Sequence, residues 1–169
     1  EFEFYDNKYN TVYMNAHLFA SFVTSTTGFH YPSGLFDNPA APNGVIAAFW
    51  ADALCSPGST RSQIVGTAPN RALVLQWHCP RWNKASATIE VQVWLYEGTN
   101  TIEVHYGNMT SGWPEGAMGL EDPTGNQALT IKPIGANGVY CSPTCDALRD
   151  VFPNSVLRYV KLPDLQVTS

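Results

Sequence analysis

The chain has 169 residues, with 14% charged, 12% aromatic, 13 glycines and 12 prolines. That length suits one domain with its own core, and so low a charged fraction among so many turn-formers points to a turn-rich all-β protein. The formal net charge of −5 comes from scattered acids with no basic stripe. This argues against nucleic acid or a polybasic membrane contact as partner. No apolar run reaches the roughly 18 residues a membrane helix needs, and Val45 to Leu54 is interrupted by Asp52.

In chain order, EFEFYDNKY alternates like a strand from its first residues, as expected of a chain that begins where an excised or processed module begins. Asp6-Asn7-Lys8 reads as the turn of a first hairpin, followed by short strands over Thr11 to Met14 and Leu18 to Phe22. Ser25 to Gly44 has the Pro, Gly and Asn content of a long loop, anchored by Phe29, Tyr31 and Phe36. Val45 to Trp50 is continuously apolar and reads as a central strand covered on both faces. Asp52 just after it is expected to be a buried carboxylate with a backbone-capping role.

The densest signal is the meander from Ala72 to Gly107. With a period of two, Leu73, Leu75, Trp77, Ile89, Val91, Val93, Leu95, Ile102, Val104 and Tyr106 share one side. Gln76, His78, Glu90, Gln92, Glu103 and His105 share the other. Centring the turn Glu97-Gly98-Thr99-Asn100 on Gly98 and Thr99 pairs Leu95 with Ile102, Val93 with Val104 and Val91 with Tyr106. The same register sets Gln92 opposite His105 and Trp94 opposite Glu103. Beyond Gly107, Ala117 to Leu120 and Ala128 to Ile131 read as strands around the turn Asp122 to Asn126. GVY before Cys141 and SVLRYVKL from Ser155 complete the sheets, and DALRDV from Asp146 is the one helical turn expected.

Cys55, Cys79, Cys141 and Cys145 allow three pairings. The favoured one joins Cys55 to Cys79 and Cys141 to Cys145, in an oxidising, extracytoplasmic setting. The alternative is a four-thiolate zinc site, for which Cys55 and Cys79 lack the short spacing.

Enzyme motifs are missing: His17, His30, His78 and His105 are scattered, and no G-x-S-x-G occurs. Glu90, Gln92, Glu103 and His105 could hold a polar ligand, although a solvated sheet face reads the same way. Glu121, Asp122, Asp37 and Asn38 could offer oxygens to calcium as a cofactor, with turn formation the preferred use. Trp50 and Trp77 fall on inward positions. Trp82, Trp94 and Trp113, with Phe29 and Tyr31, are the candidate ligand-binding aromatics, suited to stacking on sugars. Asn108-Met109-Thr110 is an N-glycosylation sequon.

FYDNKYNTVYMNAHLFASF, VIAAFWADAL, APNRALVLQW, IEVQVWLYEGTNTIEVHYG and AMGLEDPTGNQAL together resemble the nidogen-type extracellular module of bacterial secreted and surface multidomain proteins. Asp6-Asn7 stands where that pattern has a glycine turn, and His17 where it has glycine. LPDLQVTS resembles the start of a following immunoglobulin-like module. The resemblance implies an antiparallel β-sandwich, jelly-roll-like, with little helix, spanning residues 1–162, and a linker over 163–169. It implies no catalytic residues and an extracellular or cell-surface location. The expected function is a non-catalytic adhesion or structural module, with neighbouring modules, a glycan or a matrix or surface protein as partners and no membrane insertion. A carbohydrate-binding module using loop aromatics and a fibre subunit assembled by strand exchange are the alternatives.

Overall fold

Alternation of apolar and polar residues over four consecutive strands builds the larger of the two main surfaces of this protein. The computed structural model describes residues 1–25, 39–110, 116–131 and 154–160. Their regular elements are twelve strands: β1 (Phe2–Phe4), β2 (Asn7–Tyr9), β3 (Tyr13–Asn15), β4 (Phe19–Ser21), β5 (Val45–Trp50), β6 (Thr60–Thr67), β7 (Asn70–Arg81), β8 (Lys84–Tyr96), β9 (Ile102–Met109), β10 (Ala117–Glu121), β11 (Ala128–Ile131) and β12 (Val156–Tyr159). They pair antiparallel into a β1-β2 hairpin, a sheet of order β11-β10-β5-β4-β3 and a sheet of order β12-β9-β8-β7-β6. The two five-stranded sheets form a β-sandwich, as the sequence implies.

The core lies between the sheets, where Leu18, Ala20, Phe22 and Ile46 meet Leu75, Trp77, Ile89, Val91, Val93 and Val104. The β8–β9 register is the expected one, with Leu95 opposite Ile102, Val93 opposite Val104 and Val91 opposite Tyr106. Every residue of β5 is buried, because its second face carries its own cluster of Phe19, Val45, Ala47, Trp50 and Ala117. A continuous apolar run, with no polar alternation, is the sequence form of such a strand.

Two buried hydrogen bonds tie one sheet to the other. Trp77 Nε1 donates to the Asn15 carbonyl at 2.8 Å, and the Tyr106 hydroxyl donates to the Ala48 carbonyl at 2.5 Å. The second bond sits at an irregularity: the β5–β10 register shifts between Ala117 and Gly119, so Ala48 lies on a bulged stretch where ladder bonds are disrupted. Burial, and secondarily the neighbouring Tyr159, pushes the Tyr106 phenol well above its ordinary pKa, so it stays a donor. Tyr106→Phe should therefore cost about 1–3 kcal/mol in urea unfolding, mostly from the unsatisfied carbonyl left behind. At the same irregularity Gly119 has φ 150°, and a Cβ there would collide with the Leu129 carbonyl oxygen.

The first hairpin differs from its expected form. Its turn is Tyr5-Asp6, both with positive φ (46° and 61°), while Asn7 and Lys8 belong to β2. A two-residue turn sets Phe2 opposite Tyr9 and Phe4 opposite Asn7. That register lets Phe2, Phe4 and Tyr9 gather on Phe22, with ring centroids 5.7, 4.7 and 4.9 Å away. Asn7 Nδ2 secures the turn by donating to the Tyr5 carbonyl at 2.8 Å. Aromatic packing thus outweighs the left-handed strain at Tyr5. The third strand also starts and ends later than expected, at Tyr13–Asn15.

Asp52 is not the buried carboxylate expected: its side chain is 39% exposed, at the end of β5, with Oδ1 3.9 Å from His17 Nδ1. Among the described acids whose pKa is lowered, Glu97 moves furthest. Arg71 Nε and Nη2 donate to its two oxygens at 2.7 and 2.5 Å, and this bidentate bond brings its pKa down from 4.5 to about 2. As pH falls, the unfolded chain takes up this proton before the folded one does. The pair's contribution is complete above pH 4.5 and lost as pH falls to about 2. Thermal unfolding of Glu97→Gln should accordingly lose less Tm over that interval than the parent does.

Several expectations lie outside the described residues: most of the loop with Phe29 and Tyr31, Trp113, the strand before Cys141, the Cys141 and Cys145 loop, the turn of helix at Asp146, and the 163–169 linker.

Candidate functional site: the outer face of the meander sheet

The outward positions of the β12-β9-β8-β7-β6 sheet fall into two adjoining cross-strand rows. One runs Gln63, Val74, Trp94, Glu103, Arg158, and the next Arg61, Gln76, Gln92, His105, Val156. Because the pleat repeats every two residues, Tyr96 stands beside Trp94 on the same face.

These side chains hold one another. Trp94 Nε1 donates to Gln92 Oε1 at 2.9 Å, and Gln92 Nε2 donates to Gln76 Oε1 at 2.9 Å. The Tyr96 hydroxyl donates to Glu103 Oε2 at 2.9 Å. His105 Nε2 approaches the same oxygen at 2.9 Å, which places a hydrogen on that nitrogen. Arg158 Nε lies 3.0 Å from Glu103 Oε1. The Trp94 ring is stacked with Tyr96 (centroids 6.1 Å, 25° between planes) and with His105 (5.2 Å, 30°).

Glu103 is the hub, with only 13% of its side chain exposed. Burial alone would raise its pKa, but hydrogen bonds from His105 and Tyr96 and the Arg158 charge outweigh that and leave it below the ordinary carboxylate value. The Tyr96 phenol moves up, through burial first and its bond to Glu103 second. A carboxylate kept ionised and engaged at both oxygens is a poor general acid and a weak general base. The arrangement fixes aromatic faces and amide and guanidinium donors in place, which suits recognition better than proton transfer.

Of the acids and amides expected on this face, Gln76, Gln92, Glu103 and His105 are joined in the network. Glu90 lies one row away, opposite His78, with its side chain over Gly107. Tyr96 and Arg158 are the members that sequence reasoning missed. Period-two alternation through WLY would have found Tyr96, whereas Arg158 reaches the site only through the pairing of β12 with β9.

The two candidate aromatics among the described residues, Trp82 and Trp94, do not converge. Trp94 is half-buried in β8, not in a loop, and Trp82 is exposed in the turn before β8. The extended strand separates them by roughly 30 Å. Cys55 and Cys79 are joined as a disulfide, the pairing favoured from the sequence. Asp122 is spent on its own turn, accepting from Thr124 N (3.2 Å), Thr124 Oγ1 (2.6 Å), Asn126 N (2.8 Å) and Gln127 N (3.0 Å). Among the described residues no three His, Cys, Asp or Glu side chains converge as a metal site would require.

The sequence family described as NIDO related matches residues 1–147 of this chain. The chain belongs to the NIDO-related family. No curated protein and no solved structure matches it. The match takes in β1 to β11 and therefore all of the outer-face network except Arg158. Membership bears out the nidogen-type resemblance, and together with the Cys55–Cys79 disulfide it is consistent with an extracellular module of a larger protein.

Proposed function

We propose that this NIDO-related chain is a non-catalytic adhesion module of an extracellular or cell-surface protein, and that it meets its partner through the outer face of the β6–β9 and β12 sheet. The observation that carries this reading is the state of Glu103. It is the one carboxylate at the centre of the aromatic cluster, and it is saturated by Tyr96, His105 and Arg158 and held ionised. Such a group anchors a surface and does not exchange protons during turnover. The sandwich beneath supplies rigidity, since each face residue alternates along its strand with a buried core residue.

Beads coated with the chain and washed over cell-surface or matrix material test this. Retention should fall about a hundredfold in the Trp94→Ala/Arg158→Ala variant, about tenfold or 1.4 kcal/mol for each of the two contacts removed. Equal retention of parent and variant would contradict the assignment of the face.

A further inference from the structure

Two aromatic rings and an imidazole left half-exposed on a sheet need a reason, because burying them would be favourable. Here their polar edges are already occupied. Trp94 Nε1 is bound to Gln92, and the Tyr96 hydroxyl and His105 Nε2 are both bound to Glu103. What they leave for a ligand is the outward carbon rim of three rings already stacked on one another. Around the row stand polar groups with unused capacity. Gln76 engages its oxygen with Gln92, leaving its amide N–H groups, and Arg158 engages Nε with Glu103, leaving its terminal N–H groups on a side chain 65% exposed.

Charge narrows the ligand class. The Glu103 carboxylate is compensated by Arg158 at 3.0 Å, and Arg61, on the edge strand β6, is the one other Asp, Glu, Lys or Arg in the two rows. The face therefore offers neither the uncompensated cations an acidic polymer needs nor an acidic surface for a basic one. An apolar ridge rimmed by neutral and compensated donors matches a molecule with C–H faces and a hydroxyl rim, and a pyranose ring is such a molecule.

We infer that Tyr96, Trp94 and His105, together with Gln76 and Arg158, form a binding strip for a neutral saccharide chain. This rests on the reading of the outer face as the recognition surface and names the chemistry it takes. The outward carbon rims of the stacked rings pack on the sugar's C–H faces, and Gln76 and Arg158 donate to its hydroxyls. The preset Gln92 and Glu103 bonds keep the rings from having to order on binding.

The test is calorimetric titration of the chain with cellohexaose, xylohexaose and mannohexaose, with hexagalacturonic acid as the charged control. At least one neutral hexasaccharide should bind with a sub-millimolar Kd, and the charged control should bind more weakly. Trp94→Ala should weaken binding roughly tenfold, the worth of one good aromatic contact. Arg158→Ala, at an exposed side chain, provides a second reading should Trp94→Ala fail to fold, and should also weaken binding. Trp82→Ala, at the far end of β8, should leave binding unchanged. The proposal is overturned if no neutral hexasaccharide binds at millimolar concentration, if the charged control binds tightest, or if Trp94→Ala and Arg158→Ala bind as the parent does. Bead retention that is lost in the face variants but unchanged after periodate oxidation of the target's glycans would also overturn the saccharide. That last result would leave the adhesion face standing, with a protein as its partner.

Discussion

Trp77→Ala lowers the unfolding free energy by about 3–5 kcal/mol, the usual range for deleting a large buried aromatic. Trp77 is fully buried at the centre of β7 and is one of the largest enclosed side chains in the core. Its indole also joins the sheets, because Nε1 is the donor to the Asn15 carbonyl in β3. Trp77→Phe separates the two contributions. It keeps the six-membered ring and removes the donor with the pyrrole carbons, so its cost should be about 1–3 kcal/mol for the bond with a smaller packing loss beside it. Urea unfolding of the two variants beside the parent measures both. If Trp77→Phe costs as much as Trp77→Ala, the hydrogen bond between the sheets matters more than the packing. If it costs nothing, that bond is dispensable.

The second large effect belongs to the disulfide. Cys55 and Cys79 are 24 positions apart, and the loop-entropy relation for that span gives about 3.5 kcal/mol lost in the Cys55→Ala/Cys79→Ala variant. Local hydrogen bonds already hold the bridged segments together: Leu54 N donates to the Pro80 carbonyl at 2.8 Å, and Trp82 N to the Asp52 carbonyl at 2.9 Å. The native geometry should therefore survive the double substitution, and the loss should arise mainly in the unfolded chain. A rise in the urea m-value along with the fall in stability would report that expansion. An unchanged m-value with unchanged stability would show that the segments need no covalent tie.

The meander was the most legible part of the sequence because two independent signals agreed there. Alternation assigned the faces, and the Glu97 to Asn100 turn set the β8–β9 register. The β7–β8 pairing was less accessible. Continued without a shift, the register set by Arg81 opposite Lys84 would put outward Gln76 against inward Ile89. A bulge near Pro80 moves Gln76 to Gln92 and restores face to face agreement. Nothing local in the sequence marks how many residues such a bulge absorbs. The first hairpin went astray for a related reason: Asp6-Asn7-Lys8 has turn chemistry, but packing of Phe2, Phe4 and Tyr9 on Phe22 selects Tyr5-Asp6.

The candidate site divides along the same line. Gln92, Glu103 and His105 could be grouped from the hairpin register alone, and their grouping also fits an ordinary wet face. What distinguishes the site is tertiary: the stacking of Trp94 on His105 and Tyr96, and the arrival of Arg158 at Glu103 from a strand 55 residues later in the chain. Arg158 supplies the charge that compensates the carboxylate, and so decides what class of ligand the face suits.

The most direct measurement of that assignment is a nuclear magnetic resonance titration of the chain with the tightest-binding of the neutral hexasaccharides, following the tryptophan indole N–H signals and the backbone amides. Shifts should concentrate on the Trp94 indole and on the amides of Gln76, Gln92, Tyr96, His105 and Arg158, with the Trp82 indole unmoved. Shifts centred on Trp82, or on the first hairpin around Phe2 and Tyr9 with the Trp94 indole unmoved, would contradict it.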